Sequence, residues 1–251
     1  MIRTLALLTV ITAAGWFHPA QAQLKGDGLV ALGEVTAAFE KVIGFQAEVQ
    51  ISEGPATPPT TVSLTISKDL GWKVKSFSPA NSYEFICDYK TFWQFLPAEK
   101  KVMVSKADRP EAVALFRKPV DDINPLGLLD PTTLKYKGQE KINGETTHYF
   151  QGTTSTQLLM EGAAVKTEME AWISPVDGLP RKTVERTAQG TGTTIMKSIV
   201  INPSLTPADF TYTPPPGVEL VDMSQGITQG QPEGGLQSGP APRNVPPPAS
   251  N

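Results

Sequence analysis

The sequence predicts a mainly β (α+β) fold built on one large antiparallel sheet, accompanied by a few short helices. Three observations predict it. Apolar and polar residues alternate in segment after segment, the period of a sheet with one wet and one dry face. The connectors between these segments are short and rich in Gly, Pro, Asp and Asn. Helical spacing of apolar residues appears in only two short stretches of the mature chain.

The chain opens with Arg3, an apolar run from Leu5 to Trp16, then Pro19 and the small-x-small triplet Ala20-Gln21-Ala22, which is the layout of a cleavable secretory signal over residues 1–22. The apolar run is shorter than the roughly 20 residues that a spanning helix needs. Gln23 stands after the expected cleavage point and the only cysteine is Cys87, so no lipid-accepting Cys follows the signal. These features predict a periplasmic protein, exported and soluble after cleavage.

The expected domain covers residues 23–223. A helix opens it, with Asp27 as N-cap and Leu29, Leu32, Val35, Thr36, Phe39, Val42 and Ile43 on one stripe. Strands follow at Phe45 to Ser52, Val62 to Ser67, Trp72 to Lys75, Tyr83 to Asp88, Thr91 to Leu96 and Lys101 to Ser105. Asp108-Arg109-Pro110-Glu111 then carries the signals of a helix start, and Ala112, Val113, Leu115 and Phe116 form a short apolar stripe. Further strands are expected at Thr147 to Gln151, Thr167 to Ile173, Lys182 to Arg186 and Thr194 to Ile201. From Ser224 to Asn251 the composition turns to Gly, Gln, Pro and Ser, too poor in apolar residues to offset its ordering entropy, so this tail is expected to be disordered.

So many one-faced strands, covered by so little helix, pose a physical problem. A flat sheet of this size would leave a large apolar area in water, at about 25 cal/mol per Å². The sheet is therefore expected to curl, with its apolar face inside and the helices over the opening, as a filled core or as a cavity. Periodicity does not separate those two outcomes.

The composition narrows the function classes. Lys and Arg number 22 against 25 Asp and Glu, a net charge of −3, which leaves no nucleic-acid footprint. Cys87, lone in an oxidising compartment, forms no internal disulfide and reads as a buried small hydrophobe. Once His18 leaves with the signal, His148 is the only histidine, and a single His on a strand reads as a satisfied residue rather than a base. The metal, nucleophile and phosphate motifs are missing. Asp121-Asp122 reads as solvated charge, and Glu168 and Glu170, on one strand face, as a wet outer surface. No catalytic residue, metal or cofactor is expected.

Asp209-Phe210-Thr211-Tyr212-Thr213-Pro214-Pro215-Pro216-Gly217-Val218 resembles the closing motif of the outer-membrane lipoprotein carrier (LolA-like) superfamily. Asp88-Tyr89-Lys90-Thr91-Phe92-Trp93 is similar to that family's Asp-Gly-Lys-Thr hairpin, and Ile173 to Lys182 is similar to the late hairpin of an uncharacterised periplasmic branch. The resemblance implies a strongly curved, unclosed antiparallel half-barrel with short helices as a lid over an apolar cavity. It also implies a periplasmic carrier that binds acyl chains of lipoproteins or lipids and ferries them toward the outer membrane, as a monomer, between an inner-membrane donor and an outer-membrane acceptor. The cavity lining would be Phe45, Val49, Ile51, Val62, Leu64, Ile66, Trp72, Val74, Met169, Ile173, Ile195 and Ile199, with Leu32, Phe39, Val113 and Phe116 from the lid. Each of these residues reads equally as ordinary core. Where the family has an Arg that holds the lid shut, this chain offers Lys68, the latch candidate, which lacks the guanidinium fork. Tyr89 in place of the hairpin Gly implies a different turn. Two other readings are a lipid or lipoprotein sensor that regulates an envelope-stress pathway, and an envelope scaffold that uses its Pro-rich tail.

Overall fold

The computed structural model describes residues 24–54, 58–76, 82–107, 110–121, 123–156, 165–188 and 190–223. The signal segment 1–22, the tail 224–251, the helix-start residues Asp108 and Arg109, and Asp122 lie outside the described residues.

Helix α1 (Asp27–Glu40) leads into strands β1 (Gly44–Glu53), β2 (Thr60–Ser67), β3 (Gly71–Ser76), β4 (Tyr83–Cys87), β5 (Thr91–Leu96) and β6 (Lys101–Lys106). Helix α2 (Pro110–Asp121) interrupts the strands, which resume as β7 (Lys135–Ile142), β8 (Glu145–Thr156), β9 (Val165–Ile173), β10 (Pro180–Thr187), β11 (Gly190–Ile201) and β12 (Glu219–Asp222). All twelve form a single sheet in the order β12-β6-β5-β4-β3-β2-β1-β11-β10-β9-β8-β7. Neighbours are antiparallel except β12, which adds parallel to β6. The edges β12 and β7 do not pair, so the sheet is an unclosed half-barrel, the mainly β fold that the sequence predicts.

The alternation carries the apolar set to one face. Phe45, Ala47 and Val49 of β1 stand opposite Ile66, Leu64 and Val62 of β2, and the rows continue to Trp72 and Val74 of β3 and to Cys87 and Phe85 of β4. Both helices cover this inner face. One core cluster gathers Phe45, Val49, Val62, Ile66, Trp72, Phe85 and Met196 with Phe116 and Val120 of α2. A second gathers Phe150, Met169, Ala171 and Ile173 with Ala31 and Val35 of α1.

Helix α1 differs from the expected one in two respects. Gly26 is its N-cap and Asp27 lies in the first turn, where a carboxylate complements the helix dipole. Its buried side is Gly28, Ala31, Val35 and Ala38, whereas Leu29 and Ile43 of the expected stripe are 52% and 62% exposed. Small residues win because the helix sits close to its support. A Cβ on Gly28 would lie 3.0 Å from the Tyr136 Cβ, and one on Gly178 in the β9–β10 turn would lie 2.4 Å from the Val35 carbonyl oxygen. Gly178 also has φ +70°, so both backbone and space demand glycine there.

The outer face of β4, β5 and β6 has an apolar layer of its own. Ile86, Trp93 and Val104 stand in register, and Phe95 stands opposite Val102. The chain after β11 packs across this face. A 3₁₀ turn at Pro207–Phe210, closed by a Thr206–Asp209 capping box, contacts β3 and buries Phe210 completely. The Tyr212 ring then lies 5.9 Å from Phe95, and the chain joins the sheet as β12. The closing motif is thus a strap over the back of the sheet.

Candidate functional site

The inner apolar face is buried over most of its length, with half-buried residues between the buried ones. One end lies between the C-terminal parts of both helices, where Phe39, Val42, Gly44, Phe45, Ile66, Lys68, Val120 and Ile123 surround a void of about 10 Å³. That holds about one water. Ile51, Leu64, Val74, Phe92 and Leu96 pack against the same core yet remain only half-buried, interspersed with buried Val49, Val62 and Tyr83. Their rows are continuous with that end: Leu64 and Val74 pair across β2 and β3, and Val74 pairs with Phe85.

Aromatic residues tie α2 to this surface. The Trp72 indole N–H donates to the Phe116 carbonyl at 2.8 Å, and the Phe92 ring lies 5.6 to 6.0 Å from those of Trp72, Phe85 and Phe116. The α1 helix is held by polar contacts at its C-terminal end and near its middle. The Lys68 ammonium donates to the Phe39 carbonyl at 3.1 Å and lies 4.5 Å from the Phe39 ring centre. It thereby adds a second donor to a carbonyl that also accepts from the Val42 N–H at 3.1 Å, at the negative end of the helix dipole. Desolvation pulls the Lys68 pKa below its ordinary value, against the opposing pull of Glu40 and Asp69. The backbone carbonyl of Lys68 accepts from Arg117 of α2 at 3.0 Å, so this one residue touches both helices.

Arg117 also lies over the Tyr89 ring at 4.6 Å. Tyr89 adopts φ +66°, and its hydroxyl donates to the Ser67 carbonyl at 2.6 Å. Tyrosine here takes up the left-handed conformation that glycine favours, and its buried ring and hydroxyl bond hold it there.

Near the middle of α1, His148 Nε2 lies 2.9 Å from Glu34 Oε2, and Nδ1 lies 2.9 Å from the Tyr136 hydroxyl. A carboxylate only accepts, so Nε2 carries the hydrogen and Nδ1 accepts from the tyrosine. His148 is a buried anchor for the helix. Below it the β9–β10 turn is fixed by Arg181, which donates to both oxygens of Glu145 and of Asp177 at 2.6 to 3.1 Å. Cys87 is fully buried, and burial pushes its thiol up to about 12. Glu170 accepts from Tyr149 and pairs with Arg186, while Glu168 is exposed. Among the described residues no group of three His, Cys, Asp or Glu side chains is placed to hold a metal ion.

The expected lining residues separate into groups. Phe45, Val49, Val62, Ile66 and Trp72 are in the core under α2, with Ile51, Leu64, Val74 and Ile199 half-buried beside them. Met169 and Ile173 are in the other cluster, under α1. Ile195 faces outward, opposite Gln50 and Lys182, because Met196 takes the inward place opposite Val49. Of the helix residues, Phe116 is buried, Phe39 and Leu32 are half-buried against one cluster each, and Val113 is half-buried. Phe85, Phe92, Leu96 and Met196 share the inner face, although the alternation does not single them out. In Thr91-Phe92-Trp93-Gln94-Phe95-Leu96 both faces are apolar, since the strap covers the outer one, so period two gives no orientation.

A comparison with protein-family models finds no match, and one with curated proteins finds none. Among solved structures, an uncharacterised conserved protein from Thermus thermophilus is similar, with a TM-score of 0.52 at 15% identity over 78% of this chain and 99% of that one. MucB of Pseudomonas aeruginosa in its complex with MucA matches at a TM-score of 0.46 and 13% identity, over 75% of this chain and 62% of that one. A LolA superfamily protein from Nitrosomonas europaea matches at a TM-score of 0.35 and 12% identity, over 72% and 97%. The chain shares the fold of the Thermus protein: an open, mostly antiparallel half-barrel with helices on its inner face. No helix among the described residues is long and apolar enough to cross a membrane.

Proposed function

We propose that this protein is a periplasmic carrier that shields acyl chains of lipids or lipoproteins on the half-buried part of its inner face. One observation carries the reading: Ile51, Leu64, Val74, Phe92 and Leu96 are contiguous with the buried core but stay half-buried, although they lie on the covered side of the sheet. A chain laid on them leaves water at a gain of about 0.8 kcal/mol per CH₂. Lys68 is the latch in this reading. It ties α1 and α2 to the end of β2 through two hydrogen bonds, and releasing these lets the helices part over the apolar face. The protein then travels as a soluble monomer from an inner-membrane donor to an outer-membrane acceptor. Signal cleavage after Ala22 belongs to the same reading.

The test is mass spectrometry of the full chain purified gently from its native periplasm. A carrier yields stoichiometric lipid or acylated peptide. Protein that is free of lipid in repeated preparations, and takes up no apolar probe, overturns the proposal.

A further inference from the structure

Beyond the apolar lining, the inner face ends in a polar step. In register across β8, β9, β10, β11 and β1, the inward positions are Gly152, Met169, Glu185, Gly192 and Glu53. The next row holds Thr183 and Thr194, and Thr194 stands opposite Ile51, where the half-buried apolar group begins. Glu185 is only partly exposed and, among the described residues, makes no hydrogen bond or ion pair. Beside it, a Cβ on Gly192 would meet nothing within 4 Å, and the Gly192 backbone is not in the left-handed region. The glycine is therefore not required by conformation; it leaves open space next to the carboxylate.

Among the described residues, the inward charge of these two rows has one sign. Glu53, exposed, lies two strands from Glu185, about 10 Å at ordinary strand spacing. Among the described residues no Lys or Arg takes an inward position in these two rows. On the outer face of β10, Arg186 pairs with Glu170 and Lys182 lies over the Trp172 ring.

We propose that Glu185 is the head-group subsite of the carrier, receiving the ammonium group of an amphiphile whose chain lies along Ile51, Leu64 and Val74. The inference rests on the carrier reading and adds the chemistry of the polar end. A carboxylate drawn out of bulk water without a partner is unfavourable, and a cation that donates hydrogen bonds restores what burial removed. Burial accordingly pushes the Glu185 carboxyl above its ordinary pKa. An anionic head group at the same place would meet Glu185 and Glu53 with no cation of these two rows between them.

The test uses the full mature chain loaded with the neutral apolar probe N-phenyl-1-naphthylamine at neutral pH. The probe is displaced in separate titrations by dodecylammonium, dodecanol and dodecanoate. The wild type binds dodecylammonium at least about tenfold more tightly than dodecanoate, the size of one charge-assisted hydrogen bond. E185Q brings that ratio to within about threefold of unity, and E185K reverses it. Gly192→Val, which has room for its side chain, fills the space and lowers the ratio as E185Q does, a check that stands if either Glu185 variant fails to fold. A wild type without the preference, or variants that keep it, overturns the head-group subsite while leaving the carrier reading intact. Failure of the wild type to take up the probe overturns the carrier reading itself.

Discussion

Tyr89 holds two elements together from a backbone position that suits glycine. Its φ of +66° costs roughly 1–2 kcal/mol, offset by a buried ring under Arg117 and a 2.6 Å bond to Ser67. Tyr89→Phe keeps the ring and leaves the Ser67 carbonyl without that bond, so denaturant unfolding should show a loss of about 1–2 kcal/mol. Tyr89→Gly relieves the backbone but removes the ring, and α2 should become more open to amide hydrogen exchange. Lys68 acts at the same scale. Lys68→Ala removes the bond to Phe39, and faster exchange of amides at the end of α1 is expected, with a stability loss of only about 1 kcal/mol. Glu185 should behave in the opposite sense. Its folded-state pKa is raised, so the ionised carboxylate opposes folding at neutral pH. Glu185→Gln should therefore raise the Tm at pH 7, and the gain should fade as pH drops toward the ordinary carboxylate value of 4.5. A Tm gain that is independent of pH would contradict this account. Such a residue, costly to the fold, is what a binding role leaves behind.

Among elements, the β9–β10 turn and the strap carry most of the unexpected structure. Desolvation alone would raise the Glu145 pKa, but the bonds from Arg181 and Ser174 and the Arg181 charge together outweigh it and hold the carboxyl below the ordinary value. Its contribution is thus complete above pH 4.5 and is lost as pH falls through the lowered folded pKa. Acid should loosen this turn, and with it α1, before the sheet unfolds; the amides of β10 and α1 exchanging together below pH 4.5 would show it. Gly178→Ala meets Val35 and Phe39 at under 3 Å and should detach α1 at any pH. Ten of the twelve strands are legible in the sequence because alternation records burial on one face. The strand β7 is not, since KYKGQEKI is an edge strand with little apolar alternation, and β12 has only four residues. The buried side of α1 escapes a reading by apolar spacing because Gly28 and Ala38 carry no hydrophobic signal, although they set how close the helix sits. The closing motif resembles a family signature, yet its physical task, packing on the outer face with Phe210 fully buried and Tyr212 against Phe95, becomes visible only once both faces of β4 to β6 are seen. Phe210→Ala should cost about 3–5 kcal/mol, as for a core residue, despite its place in an irregular segment.

At the scale of the whole molecule, the inner face of the half-barrel combines buried and half-buried apolar residues. The buried ones supply stability: fully buried Phe45, Cys87 and Leu179 are among them, with a void of about 10 Å³ between the helix ends. The half-buried residues reach from Phe92 and Val74 to Ile51, with buried Val62 and Val49 between them, and Ile51 adjoins the polar step at Glu185. Filled core and cavity are alternatives from periodicity alone; the fold shows a filled core under the helices with half-buried apolar residues beside it. The carrier reading places an acyl chain on the half-buried part of the inner face, and native mass spectrometry of the protein purified from its native host is the sharpest test of it. The account predicts a mass above that of the mature chain by one lipid or acyl group, lost when organic solvent unfolds the protein and taken up again on incubation with lipid vesicles. A mass equal to that of the bare chain, unchanged after the same incubation, would contradict it.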